Sequence, residues 1–406
     1  MKKRKVKKKI KLGGCLLLLT LIGLFSLFPF IRSEKKTNQT SKPSKTEKKQ
    51  ETEETNIQSA KLTLVGDFLF EQPFYDATAD IENSDYFDLV KSYFEEDDLS
   101  IGNMEVVIGN ESIKSSGTGY NFCAPESVGK LVSKLSLEVL STANNHSYDR
   151  GNEGIDSTLD FFNQNTKIKT VGTYKNKEDI EKTTTLTING ITFSFLSYTL
   201  GTNIRIDEAN QWKVNLYRDP STKQITNTYK EKMKKDVENA KAVSDVVIAL
   251  VHWGTEFTSS PNKEQTELAN YLNELGVHLI VGNHSHSIQP IEWIGDKHKT
   301  LVYYSLGNFV SADDDISRTG EKYDNAYQFG LLSTLKVIKT EDTITINDIK
   351  AEPIVNYFDK NMQHFKLIPF SQYTENYEKS HYRYSYNFTK DFIKQMMNDV
   401  IDKQYH

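Results

Sequence analysis

Five times between residues 62 and 286 a short apolar run stops at residues able to hold a metal ion or a proton. Leu62-Thr63-Leu64-Val65 leads to Gly66-Asp67, and Leu99-Ser100-Ile101 leads to Gly102-Asn103-Met104-Glu105. Residues 138–142 lead to Ala143-Asn144-Asn145-His146, residues 245–251 to His252-Trp253-Gly254, and residues 277–281 to Gly282-Asn283-His284-Ser285-His286. Apolar runs this short read as buried strands. Between them lie candidate helices at 86–96 (Tyr86, Leu89, Val90 and Tyr93 on one face), 125–135, 154–162, 223–243 and 263–275. Strands alternating with helices predict an α/β body with a largely buried sheet. In such sheets the residues just past the carboxyl ends of different strands meet along one edge. That rule gathers Asp67, Asn103, Glu105, Asn145, His146, His252, His284 and His286.

In extended backbone the side chains at i and i+2 point the same way, so the spacing predicts that His284 and His286 converge on one point. Each candidate also has an ordinary structural role open to it: Asp67 a turn, Asn145 a cap, His252 beside Trp253 a core histidine. Those roles would all have to coincide at one end of consecutive strands. Carboxylates, an amide oxygen and several imidazoles form a mixed donor set, suited to Mn, Fe or Zn more than to Ca or Mg. One or two divalent transition-metal ions are expected, and a close pair needs a bridging carboxylate such as Asp67 or Glu105.

The head of the chain has a different texture. Residues 1–11 carry eight Lys or Arg and no acid, so a whole-chain charge of −5 leaves the remainder at −13. A body that acidic lacks the basic footprint of a nucleic-acid binder, and no nucleic-acid partner is expected. Residues 12–31 hold no charge and are long enough for a transmembrane helix, with the basic flank setting the N-terminus in the cytoplasm. No small-x-small cleavage site follows, so the segment reads as an uncleaved signal anchor. The polar stretch 32–58 has too little apolar content to fold and reads as a linker. The expected location is the cell membrane, single-pass, with the body extracellular. Cys15 lies in the anchor and Cys123 in the body, so no internal disulfide is expected. A hairpin at 184–198 turning on Asn189-Gly190 and antiparallel strands at 329–338 and 343–349 predict a mixed sheet or two packed sheets. One domain is expected over 59–356, with 357–406 as a C-terminal extension packed on it or trailing it.

Val65-Gly66-Asp67, Gly102-Asn103-Met104-Glu105, Ala143-Asn144-Asn145-His146, His252-Trp253-Gly254-Thr255-Glu256, Gly282-Asn283-His284-Ser285-His286 and Ser305-Leu306-Gly307-Asn308-Phe309 resemble the ordered motifs of the CapA/PgsA family. These are the poly-γ-glutamate capsule biosynthesis proteins, a branch of the calcineurin-like metallophosphoesterases. The resemblance covers residues 60–312 and, more loosely, the chain to 356. It implies a four-layer α/β/β/α sandwich of metallophosphoesterase type with its site at the strand ends. Asp67 and His286 would hold one metal, and Asn145, His252 and His284 a second, with Glu105 between them. His146 would stand where the parent enzymes keep a proton donor, which makes His146, Asn145 and Asp67 the catalytic candidates. Asn103, Glu256, Arg150 and Asn308 are the candidate substrate contacts. One motif departs from the parent pattern: Leu69 occupies the place of a ligand His, which takes an imidazole from the first metal site. The implied function is membrane-anchored synthesis or export of a poly-γ-glutamate-type anionic capsule polymer, beside membrane-embedded ligase and export subunits. The alternatives are a surface metal-dependent phosphoesterase or amide hydrolase acting on envelope polymers, and a non-catalytic scaffold of a capsule synthase complex.

Overall fold

The structure, a computed structural model, describes residues 57–119, 121–312 and 321–406. The basic tail, the expected span at 12–31 and the linker up to residue 56 lie outside the described residues. Among those described, no helix is long and apolar enough to cross a membrane.

Two sheets carry the fold. The chain opens with β1 (Gln58–Phe68), α1 (Gln72–Ala77), α2 (Lys91–Glu95) and β2 (Leu99–Met104). A small ladder of β3 (Val107–Ile108) with β4 (Cys123–Ala124) precedes α3 (Glu126–Val132), β5 (Val139–Ser141), α4 (Gly151–Asn165) and β6 (Lys169–Val171). Strands β1, β2, β5 and β6 run parallel. The second sheet is built from β7 (Thr184–Ile188), β8 (Ile191–Thr199), β9 (Val246–His252), β10 (Leu279–Asn283), β11 (Ile291–Ile294) and β12 (Thr300–Tyr303). Its order is β11-β12-β10-β9-β8-β7, with antiparallel edge strands on a parallel interior. Helix α5 (Asn227–Val243) leads into β9, and α6 (Lys263–Leu275) joins β9 to β10. The chain then returns to the first sheet through β13 (Asn308–Val310), β14 (Phe329–Lys339), β15 (Ile344–Tyr357) and β16 (Lys366–Pro369). That sheet runs β16-β15-β14-β1-β2-β5-β6, with β13 also pairing β1.

Strand β9 explains the layering. Its Val246, Ile248 and Leu250 join a cluster shared with Leu62 and Leu64 of β1, between the sheets. Its Val247, Ala249 and Val251 join another, shared with Met233 and Val237 of α5 and Leu268 and Leu272 of α6. A strand covered on both faces needs an unbroken apolar run, and β9 has one. The first sheet is covered on its far side by Val128 and Leu131 of α3 and by Phe161 and Phe162 of α4. The body is therefore mixed α/β, with layers in the order α/β/β/α.

Local expectations differ in two places. Residues 86–90 are turns and not helix: Tyr86, donating to Asn356 Oδ1 at 2.7 Å, and Phe87, stacked on Phe309, are both buried in the aromatic cluster outside the first sheet. Strand β15 continues past residue 349 to Tyr357 despite Pro353. Its pairing with β16 starts only at Ile354, so the missing N–H falls where β15 is still an edge strand. Beyond β16, the C-terminal helix Lys390–Val400 adds Ile393, Met396 and Met397 to the inter-sheet cluster.

Candidate metal centre

The carboxyl ends of β1, β2, β5, β9 and β10 carry the expected residues. Asp67 is in register with Asn103 on one side and Asn308 on the other, and His252 with Asn283. Two glycines let these ends close up. A Cβ on Gly66 would lie 1.8 Å from the Gly307 carbonyl oxygen, and one on Gly282 would lie 2.2 Å from that of Tyr304. Past Gly282 the backbone is not extended: φ is 94° at His284 and 51° at His286, a region that strains residues with side chains. The two rings consequently serve different neighbours, instead of the single point that strand alternation predicts.

Asp67, Glu105 and His286 form one buried triad and Glu105, His252 and His284 another, the donor atoms of each lying within 4.8 Å of one another. Glu105 belongs to both. Its Oε1 is 3.3 Å from His252 Nε2 and 3.7 Å from His286 Nε2. Asn145 adds its Oδ1, 2.8 Å from His252 Nε2. Both carboxylate oxygens of Glu105 and His284 Nδ1 are buried with no hydrogen-bond partner. Buried polar atoms are normally satisfied, and two carboxylates facing three imidazoles form a donor set that a cation satisfies. The residues present therefore fit a metal site. Leu69 takes no part, being buried in the aromatic cluster outside the first sheet.

The electrostatics follow from burial. Burial, and then the neighbouring Glu105, push the Asp67 carboxyl well above its usual range, and burial also raises Glu105. Burial pushes His252 and His284 well below the ordinary imidazole value, helped by the neighbouring imidazoles and, for His284, by Arg218. At His286 burial opposes the charge, but Glu105 and Asp67 outweigh it and raise the pKa. At His146 burial also opposes the charge, and Asp149 outweighs it in the same direction.

His146 lies beside the triads. Its Nδ1 is 2.7 Å from Asp149 Oδ2, its ring meets Phe122 edge-on, and its Nε2 is 3.4 Å from Asn203 Nδ2. Three of the four expected substrate contacts are otherwise engaged. Asn103 donates to Asp67 Oδ1 at 2.7 Å and lies 3.3 Å from His252 Nδ1. Asn308 sets Oδ1 2.9 Å from His286 Nδ1 and donates from Nδ2 to Tyr327 O at 3.1 Å. Both are fully buried and in contact with side chains of the triads, a placement suited to orienting them. Arg150 donates to the carbonyls of Asp149 at 3.0 Å and Lys114 at 3.5 Å, outside the triads. Glu256 stays at the site: it is half-buried, and its charge acts on Glu105, His146 and His286. Sequence reasoning missed Asp149, Asn144, Asn203 and Phe257. Asn144 braces Asn103 Oδ1 and the Met104 carbonyl, and the Phe257 ring lies 6.0 Å from His286. Asp149 follows His146 by three residues, a spacing that a sequence can flag. Asn203 and Phe257 arrive from loops whose sequence carries no such signal.

Comparisons with known proteins agree with these motifs. Residues 61–313, well over half of the chain, match the family described as bacterial capsule synthesis protein PGA_cap. Over 250 residues the chain is 28% identical to the PGA biosynthesis protein CapA of Bacillus subtilis (strain 168), covering 61% of this chain and 62% of that one. Over 312 residues it is 26% identical to the capsule biosynthesis protein CapA of Bacillus anthracis, covering 75% of this chain and 72% of that one. The match thus spans less than two thirds of the length of the Bacillus subtilis relative. Among solved structures, a novel phosphatase from Mycoplasma pneumoniae is a distant likeness, 13% identical with a TM-score of 0.45, over 74% of this chain and 94% of that one. The matched stretch holds every residue of the two buried triads, and the chain belongs to the PGA_cap family of bacterial capsule synthesis proteins.

Proposed function

We propose that this chain acts at the bacterial surface in making or exporting an anionic capsule polymer of the poly-γ-glutamate type. It is held at the membrane by residues 12–31, with its body outside, beside membrane-embedded ligase and export subunits. The observation that carries this reading is the pair of buried triads sharing Glu105 in a chain of the PGA_cap family. Both relatives carry capsule or PGA biosynthesis in their names. The layer order, with ligands at strand ends, fits the calcineurin-like metallophosphoesterase plan. Asp67, Glu105 and His286 would hold one divalent ion, and Glu105, Asn145, His252 and His284 a second, with Mn, Fe or Zn favoured by the mixed donors.

A hydrolytic role at the same centre is the second reading, and the contact between His146 and Asp149 favours it. Bound metal would supply Lewis acidity toward a carbonyl or phosphoryl oxygen. Asp149 engages Nδ1 of His146, which leaves Nε2 to carry the proton that a departing oxygen or nitrogen needs.

The test pairs elemental analysis of the purified full chain with complementation of a strain lacking it. Two transition-metal ions per chain are expected, one for each triad, and both lost in His284→Ala/His286→Ala. Wild type should restore surface polymer and Glu105→Gln should not. Full polymer from Glu105→Gln would overturn a role for the centre, and full polymer from His146→Ala would remove the hydrolytic reading alone.

A further inference from the structure

A cavity of about 570 Å³ opens beside Asn145, on the side of the triads that holds His252. Its walls come from the loop that follows β8 and from the stretch around residues 216–223. Arg205, Arg218 and Lys223 line it, and no Asp or Glu does. That lining stands out in a body whose charge is −13 once the basic head is set aside. Arg218 is held in place: its Nε donates to Leu200 O at 2.8 Å and its Nη1 to both Glu264 oxygens, at 2.8 and 3.0 Å. Arg205 and Lys223 are exposed and form no ion pair among the described residues, so their charge is available to a ligand. At the inner end, Asn145 is 3% exposed and its Nδ2 has no hydrogen-bond partner. A buried donor without an acceptor costs free energy that an arriving anionic oxygen would recover.

We propose that this cavity is an anion-binding subsite, which seats a carboxylate- or phosphate-bearing segment of the substrate against the buried cluster. The volume suits a few units of a chain molecule. The proposal rests on the reading of an anionic polymer as substrate. It also supplies what that reading needs, because an acidic body cannot capture a polyanion by its overall field and recognition has to be local.

The test uses the full chain and two probes, a short γ-linked glutamate oligomer and a linear polyphosphate of matched charge, with binding read by fluorescence anisotropy. Arg205→Glu/Lys223→Glu reverses the cavity's free charges. Lys234→Glu/Lys297→Glu makes the same change of net charge at exposed sites elsewhere and controls for the basic head. The cavity pair should weaken binding about tenfold or more and the control pair less than about twofold, with metal content unchanged in both. Equal weakening in the two pairs, or none in the cavity pair, overturns the subsite. Polyphosphate binding that depends on the cavity, with no binding of the glutamate oligomer, keeps the subsite and removes the carboxylate polymer as its ligand. If Glu105→Gln cells lack polymer while the cavity pair binds normally, the subsite fails and the proposed function stands.

Discussion

Asp149 meets neither triad, yet two neighbours depend on it. Its Oδ2 holds His146 Nδ1 at 2.7 Å and accepts the Phe122 main-chain N–H at 2.6 Å, in a buried setting. Asp149→Ala would strand both partners, so a loss of about 2–4 kcal/mol is expected. Urea unfolding checks it as a lower midpoint at unchanged slope. Asn308 acts at the same scale through His286. Without the Asn308 oxygen the ring loses the contact that fixes its orientation, and Asn308→Ala is expected to weaken metal binding about 10- to 100-fold in a chelator competition. These two residues also mark what the sequence reveals. Asp67, Glu105, His252, His284 and His286 were legible because metal chemistry demands those side chains after buried strands. Asn103 and Asn308 were equally visible, but an amide can meet a substrate or brace a ligand, and only its partner in space decides which.

At the scale of elements, the strand ends meet only because glycine lets backbones touch. The Gly307 carbonyl accepts the Asp67 N–H at 3.0 Å and lies 1.8 Å from where a Gly66 Cβ would stand. Gly66→Ala must therefore push β1 off that loop, and a loss of about 3 kcal/mol or more is expected, seen as insoluble or unfolded chain. Strands β2 and β5 are tied by Glu138, which accepts the Ser100 N–H at 2.7 Å. Burial raises the Glu138 pKa from 4.5 to about 7, against the pull of that N–H. The folded state thus keeps a proton that the unfolded chain has already released. The associated stability is complete below the unfolded value and is lost as pH rises through about 7. Glu138 is partly exposed, so the screened effect is about 1–2 kcal/mol. Denaturation at several pH values should show that loss in wild type and a flatter profile in Glu138→Gln. The strands were readable for the reason seen in β9, where both faces are covered and the run from Val246 to Val251 is apolar throughout. What escaped was backbone choice: the left-handed turns at His284 and His286, and an edge position that lets β15 run through Pro353.

Across the whole molecule, the centre is a joint between sheets. Asp67 ends β1 and Glu105 follows β2 in the first sheet, while His252 ends β9 and His284 and His286 follow β10 in the second. A metal bound there ties the two sheets together, and its affinity adds to stability by mass action, about 2.7 kcal/mol at a hundredfold excess over Kd. The metal-free fold behaves in the opposite sense with pH. Asp67 and Glu105 both have raised pKa values, so without metal their contribution to stability is greatest below the ordinary carboxylate range and is lost as pH rises. Metal binds the deprotonated groups and favours the fold increasingly over the same window. Thermal scans of the full chain should therefore show a gap between metal-loaded and chelator-stripped protein that widens as pH rises above the ordinary carboxylate range. Glu105→Gln removes a buried charge that belongs to both triads. Stripped Glu105→Gln is expected to exceed stripped wild type by about 1–3 kcal/mol and to gain almost nothing from added metal. A Glu105→Gln protein that still gains the full increment would mean that the two triads are not joined through Glu105.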